Sequence, residues 1–412
     1  MRQARLVSGL ILAALVAAGC GRQAPAAPQT RGAGLVAGLA VSGQRAVVML
    51  RGEALPGVLA APNRAGLTVV DRLPELRALV VQASNGAGRQ ALLALAADPG
   101  VASVTPDWPV SLEAISNDPM VGQQYSLRAG NVAEAWSRAP KRGKGVLVAL
   151  IDSGIDLGHP EFEGRVNKTG VNVIDPLKFP QDDHGHGTHC AGIIGATADN
   201  GEGIAGVAPG VQFLPVKIFN SRGQGTASGV SKGIVNAMTY QPKVMSMSIG
   251  LYQYSPVLEE ALQYALDRDC VLVASAGNSN KENDPQYAPH LPSTYPGVIE
   301  VASSNSDNVR SKYSNFGKTV SVIAPGETIL STWPRAGLGP TAPKSYTTAS
   351  GTSMAAPFVA GVAALIRGEN PGLKRDEVRR RIEAGARDLG DAGFDPYHGH
   401  GLIDAGKALS LN

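Results

Sequence analysis

The sequence predicts an α/β protein, a parallel sheet flanked by helices, with a small α+β unit in front of it. Three observations carry that prediction. Five short runs, at 146–151, 212–219, 244–249, 270–275 and 298–302, are apolar almost throughout. A strand without polar alternation is one buried on both faces. Helical stretches at 186–198, 225–240, 255–268 and 352–367 alternate with these runs. Strands that alternate with helices build parallel sheets, because each crossover helix returns the chain to the same edge. Upstream, 46–50 and 78–82 read as strands, 88–97 as a helix with one apolar face, and 101–104 as a third strand.

Length and composition agree with this division. The chain of 412 residues is long enough for one large domain and smaller pieces, and 43% hydrophobic residues supply a core. Fifty glycines against 5% aromatics point to many tight turns and close backbone approaches. A net charge of +3, with no basic run, argues against nucleic acid as a partner. Three cysteines make no disulfide framework.

The N-terminus reads as an export signal at 1–20. Arg2 and Arg5 precede an apolar segment from Leu6 to Ala18, followed by Gly19 and Cys20. That segment is too short to cross about 30 Å of hydrocarbon as a helix. Residues 21–44, rich in Ala, Gly, Pro and Gln, read as a flexible tether. The small α+β unit then occupies 45–115 and the large domain 116–412.

Chemistry-bearing residues fall at the ends of the predicted elements. Asp152 closes the run Val146-Leu-Val-Ala-Leu-Ile151, and Asn278 follows Val271-Leu-Val-Ala-Ser-Ala276-Gly277. His186 opens a helix in Asp183-His184-Gly185-His186-Gly187-Thr188-His189-Cys190. Ser353 opens another in Gly351-Thr352-Ser353-Met354-Ala355-Ala356-Pro357. Ligands bind at the carboxyl ends of the strands in such sheets, so all four residues are expected on one side. A serine at a helix N-terminus has free N–H groups and a favourable dipole beside it, which suits an oxyanion. By itself such a serine is equally well read as a helix cap. The three histidines also raise a metal reading, but no His-Glu-x-x-His is present and glycines separate them.

Asp, then His, then Ser is the chain order of the subtilisin triad. With the four motifs above, the stretch from Asp118 to Leu409 resembles the subtilisin-like serine proteases (subtilases, peptidase family S8), and among them the thermitase-like members. The resemblance implies that Ser353 attacks a peptide carbonyl, that His186 is the general base and then acid, and that Asp152 orients the imidazole. It implies Asn278 as oxyanion donor, and binding of an extended peptide substrate along Ser248-Ile249-Gly250 and Gly223-Gln224-Gly225. It implies no catalytic cofactor. A structural calcium is implied, held by side chains of Asp118 and Asn200, the carbonyls of Thr197, Glu202 and Ile204, and a position that aligns with Asn172. A broad, apolar preference at the first substrate pocket is implied too, against which stand Ser279 and His290, placed in its lining. Cys190 and Cys270 read as small buried hydrophobes.

By the same resemblance, residues 45–115 are a ferredoxin-like propeptide, an intramolecular inhibitor released by autocleavage between Leu112 and Asn117. Ala17-Ala18-Gly19-Cys20 is similar to a bacterial lipobox, implying lipidation of Cys20 and a membrane anchor; the alternative is an ordinary signal peptide. The expected product is an exported, monomeric serine endopeptidase of the extracellular space or cell envelope. The competing reading is a catalytically silent binding protein of the same fold. An esterase is disfavoured because Gly351-Thr352-Ser353-Met354-Ala355 is not Gly-x-Ser-x-Gly.

Overall fold

The computed structural model describes residues 45–52, 66–83, 86–107, 115–335 and 345–411. The export segment, Cys20, the tether and residues 112–114 of the expected cleavage segment lie outside these residues. Contacts divide the chain into two units, Met1–Leu112 and Glu113–Asn412.

In the first unit, strands β1 (Arg45–Leu50), β2 (Leu67–Leu73), β3 (Ala78–Ala83) and β4 (Val101–Pro106) form an antiparallel sheet in the order β2-β3-β1-β4. Helix α1 (Gly86–Ala96) packs against β3 and β4. Leu92 and Leu95, three residues apart on one helix face, meet Ala46, Val48 and Val81 in a small core. Strand β2 escaped the sequence reading. Its Leu67 is buried but Asp71 and Arg72 are exposed, and a register shift between Val69 and Asp71 interrupts the alternation.

The second unit is built on a seven-stranded sheet, β11-β10-β9-β8-β5-β7-β6, with every pairing parallel. Its strands are β5 (Leu147–Asp152), β6 (Val171–Asn172), β7 (Gln212–Lys217), β8 (Val244–Met247), β9 (Val271–Ser275), β10 (Ile299–Ser304) and β11 (Val320–Pro325). Along β5, Val148 and Leu150 enter one apolar cluster while Ala149 and Ile151 enter another. The continuous apolar run therefore serves two faces at once. One face is covered by α4 (His186–Gly195) and α7 (Thr352–Glu369), through Ile193, Ile194, Phe358 and Val362. The other is covered by α5 (Ala227–Met238) and α6 (Pro256–Leu266), through Ile234, Leu258 and Leu262. Short helices α2 (Tyr125–Ala129) and α3 (Val132–Arg138), the hairpin β12 (Ile329–Thr332)–β13 (Tyr346–Ala349), and helices α8 (Arg375–Gly385) and α9 (Ala405–Ser410) complete the unit.

Helix α4 stops at Gly195, three residues short of the expected 198. The chain leaves the helix because Thr197 turns its N–H to the carbonyl of Glu161, 3.1 Å away, starting the loop discussed below.

Candidate active site

Asp152 ends β5, and the residue after it opens the turn towards α4. Its carboxylate meets His186 Nδ1 at 2.8 Å through Oδ1 and 3.0 Å through Oδ2. The carboxylate is fully buried, while the histidine side chain keeps 26% of its surface. The pairing fixes a proton on Nδ1 and leaves Nε2 as the basic nitrogen. Burial works against the imidazolium, yet the Asp152 charge and the Cys190 contact outweigh it and hold His186 well above 6.5.

The loop carrying His186 is itself pinned by a residue the sequence reading passed over. Buried Asp182 accepts hydrogen bonds from Ser153 Oγ (2.8 Å), His184 N (3.0 Å), Gly185 N (2.9 Å) and Thr188 N (2.9 Å). One carboxylate therefore ties the end of β5 to the start of α4. The visible signal was an aspartate just upstream of the histidine motif, but acids before helices are common caps.

Ser353 is the second residue of α7, and Pro357 lies four residues further on inside the helix. A proline has no N–H for the carbonyl four residues back. The Ser353 carbonyl is satisfied from outside the helix instead, by Ser248 Oγ at 2.9 Å and Cys190 Sγ at 3.4 Å. Cys190 Sγ also lies 3.9 Å from His186 Nδ1, so this small thiol touches both the imidazole and the backbone of Ser353. Burial pushes its pKa up, which agrees with a packing role and against a nucleophilic one.

Asn278 follows β9. Its Oδ1 accepts from Thr352 N at 2.8 Å and Thr352 Oγ1 at 2.9 Å, which fixes the amide and commits Nδ2 to the opposite side. A Cβ on Gly351 would stand 3.3 Å from that Nδ2. A glycine there keeps the approach to the donor open. Ser353, Asn278, Ser248, Ile249 and Gly250 line one cavity of about 270 Å³. Gly223, Gln224 and Gly225 do not line it. They form an exposed turn after β7, where Gly223 faces His184.

The histidines do not converge on a metal. His189 Nε2 lies 3.1 Å from Ile329 O and 3.2 Å from Thr347 O, tying α4 to the hairpin. Burial, reinforced by His186, lowers its pKa to about 4. Among the described residues, Asp152, His186 and Cys190 form the one cluster of acid, histidine and thiol groups with metal-ligand spacing. That cluster is the site already described.

This geometry orients a base by a buried carboxylate and sets a serine hydroxyl and an amide side chain in one pocket. Comparison with known proteins gives the arrangement its family. The subtilase family model matches residues 143–401. The chain belongs to the subtilase family. It is 36% identical to thermitase of Thermoactinomyces vulgaris over 71% of this chain and 98% of that protein. It is 37% identical to subtilisin DY of Bacillus licheniformis over 65% of this chain and 92% of that one. Among solved structures, a protease from Pseudoalteromonas arctica matches with a TM-score of 0.64 at 30% identity, covering 72% of this chain and 99% of that one.

This subtilase departs from the expected calcium set at one position. Asn172 is not at the loop: its side chain bonds Ile174 N (3.1 Å), Asp175 N (2.9 Å) and Phe179 O (3.2 Å). The second carboxylate is that of Glu161, in His159-Pro160-Glu161, which the sequence alignment missed. Glu161 accepts from Ile204 N (3.0 Å), Tyr346 Oη (2.9 Å) and Asn200 Nδ2 (3.2 Å). Asp118 accepts from the N–H groups of Asp199 (3.0 Å), Asn200 (3.1 Å) and Gly201 (3.0 Å). Burial first, and the Asp118 charge last among the causes, bear on a raised Glu161 pKa. Two carboxylates and an asparagine make an all-oxygen set, the chemistry of a hard divalent cation, so these residues fit calcium.

Proposed function

We infer that this subtilase is a serine endopeptidase, exported and made as a proenzyme. The observation that carries the reading is the buried Asp152–His186 pair, with Ser353 and Asn278 lining one pocket. Ser353 Oγ attacks the peptide carbonyl while His186 takes its proton, and the oxyanion is met by Asn278 Nδ2 and the N–H of Ser353. The intermediate collapses with cleavage of the C–N bond as His186 hands its proton to the leaving amine, and water, deprotonated by the same base, then hydrolyses the acyl-enzyme and releases Ser353. The test is a fluorophosphonate probe, which reacts only with an activated serine. Labelling that disappears in Ser353→Ala supports the reading. No labelling of the processed protein leaves the silent binding protein in its place.

Export rests on Arg2, Arg5 and the apolar segment that follows, and on relatives such as the minor extracellular protease Epr of Bacillus subtilis, 34% identical. Anchoring rests on Ala17-Ala18-Gly19-Cys20 alone. Cys20→Ser is expected to move the protein from the membrane to the soluble fraction; unchanged partition removes the anchor. The proenzyme rests on the small α+β unit directly ahead of the catalytic domain.

Calcium is assigned to Asp118, Glu161 and Asn200 with carbonyls of the loop 197–204; these residues would hold it, and its charge would offset those of the two carboxylates. A ligand at a hundred times its Kd adds about 2.7 kcal/mol to the folded state. Added calcium is therefore expected to raise Tm, with a chelator reversing it, and Glu161→Gln to abolish most of the difference. A Tm indifferent to calcium in the wild type overturns the assignment.

A further inference from the structure

The pocket beside Ser353 is polar, and Ser279 and His290, the two residues the sequence set against an apolar pocket, both line it. Its wall and floor bring together Gly250, Tyr252, Ser275, Gly277, Ser279 and His290, and none of its lining residues is Asp, Glu, Lys or Arg. We propose that this pocket selects an uncharged amide side chain, glutamine foremost, on the acyl side of the bond cut, and that His290 Nε2 is the acceptor that recognises it. The proposal rests on the endopeptidase reading above.

The position of Nε2 comes from the two glycines that flank it. A Cβ on Gly250 would collide with Nε2, and one on Gly277 would stand 2.9 Å from it. The nitrogen therefore sits between the ends of two strands, at the floor of the pocket, and the missing side chains leave it approachable. His290 is otherwise enclosed, at 2% exposure. Tyr252 stands edge-on to its ring, centroids 4.7 Å apart.

The hydrogen-bond partners behind the ring assign its proton. His290 Nδ1 lies 2.9 Å from Ser293 Oγ. The same hydroxyl lies 2.8 Å from the His290 carbonyl and 3.0 Å from Glu300 Oε1. A carbonyl can only accept, so the single hydroxyl hydrogen is drawn towards these oxygens, and the ring supplies the hydrogen on Nδ1. Nε2 then presents a bare lone pair to the pocket. Burial lowers the His290 pKa to about 4, so the ring is neutral wherever His186 is.

A complementary donor exists at the rim. The Tyr252 hydroxyl donates to Ser279 Oγ at 3.0 Å and accepts from Asn315 Nδ2 at 3.0 Å. Ser279 keeps its own hydrogen for an incoming oxygen. An amide side chain satisfies both ends, with its N–H on Nε2 and its carbonyl on Ser279. A carboxylate would face the Nε2 lone pair. A cation finds no acid in the lining, because Glu300 lies behind Ser293 with its pKa raised by burial. An aromatic ring needs the depth that the imidazole already fills. Methionine matches glutamine in length but offers no donor, and a site built around a hydrogen bond discriminates strongly against the analogue lacking it.

The test uses protein produced from the full chain and peptides identical except for glutamine, methionine, glutamate, lysine or phenylalanine before the cut. In the wild type, kcat/KM for glutamine is expected to exceed that for methionine by about tenfold or more. His290→Phe keeps the bulk and removes the acceptor, so the glutamine-to-methionine ratio should fall to about one while phenylalanine stays poor. His290→Gly should open the floor and improve phenylalanine. Methionine or phenylalanine equal to glutamine in the wild type overturns the proposal without any variant, as does a preference that survives His290→Phe. If the protein takes the fluorophosphonate but shows no preference, selection by His290 falls and the endopeptidase stands. If it takes no probe and cuts no peptide, both fall.

Discussion

Ser353→Ala is expected to lower kcat/KM on the order of 10⁶-fold, a magnitude known from subtilisin itself rather than obtained from this structure. The loss is nearly total because the nucleophile, the base and the orienting acid act as one unit. Without Oγ there is no acyl-enzyme, and only Asn278 and the pocket remain to favour direct attack by water. The substitution removes one oxygen. The carbonyl of residue 353 keeps its bonds to Ser248 and Cys190, so folding should be unaffected. The same variant tests maturation. If the enzyme cuts its own connector between Leu112 and Asn117, Ser353→Ala should accumulate uncut, read by mass spectrometry of the purified protein. A variant that retains wild-type peptidase activity sinks the nucleophile assignment. A variant that is inactive but still cut at that bond, in a preparation free of other proteases, sinks autocleavage alone.

Asp152→Asn is expected to lower kcat/KM by about 10⁴-fold near neutral pH, the size of the same exchange in another serine protease. An asparagine can present its N–H to the imidazole, which favours the wrong tautomer and removes the charge that stabilises the imidazolium. The pH profile gives an independent readout. His186 has its folded pKa raised above 6.5, where burial alone would have lowered it. For stability, the paired imidazolium contributes fully below 6.5, and that contribution is lost as pH rises through the folded value. Activity has the opposite sign, because the base acts only when neutral. Wild-type kcat/KM should therefore climb through a pKa above 6.5 and show no maximum near pH 4. With the Asp152 charge gone, burial prevails and the rising limb should move to lower pH. A limb that stays in place means that something other than Asp152 sets the histidine.

The elements that hold the triad were legible because each is governed by a local pattern. A strand buried on both faces has to be apolar along nearly its whole length, and 146–151 and 271–274 are apolar throughout. Helices α4 and α7 begin within small-residue motifs, and His186 and Ser353 sit at their first turns. The four positions proposed as catalytic follow from those ends, since a parallel sheet brings all its carboxyl edges to one side. What escaped was set by partners remote in sequence. Strand β2 carries its charges outward around a register shift and has no periodicity to read. Glu161 was passed over in favour of Asn172 because position along the chain cannot tell which side chain turns towards the loop. The choice was made by Tyr346 and the N–H of Ile204, which reach Glu161 from separate parts of the chain.

The sequence by itself determined the fold class, the placing of Asp152, His186, Asn278 and Ser353 at the ends of regular elements, and the division into a small unit and a large one. Those depend on residue type at the ends of regular elements, and the periodicity of burial places such ends. Only the tertiary structure decided which carboxylate completes the loop at 197–204, that Asp182 pins the histidine, and that His290 turns Nε2 between Gly250 and Gly277. Each of these is a matter of side-chain direction. A hydrogen bond selects its partner by angstroms across the packed interior, and spacing along the chain carries no record of that distance.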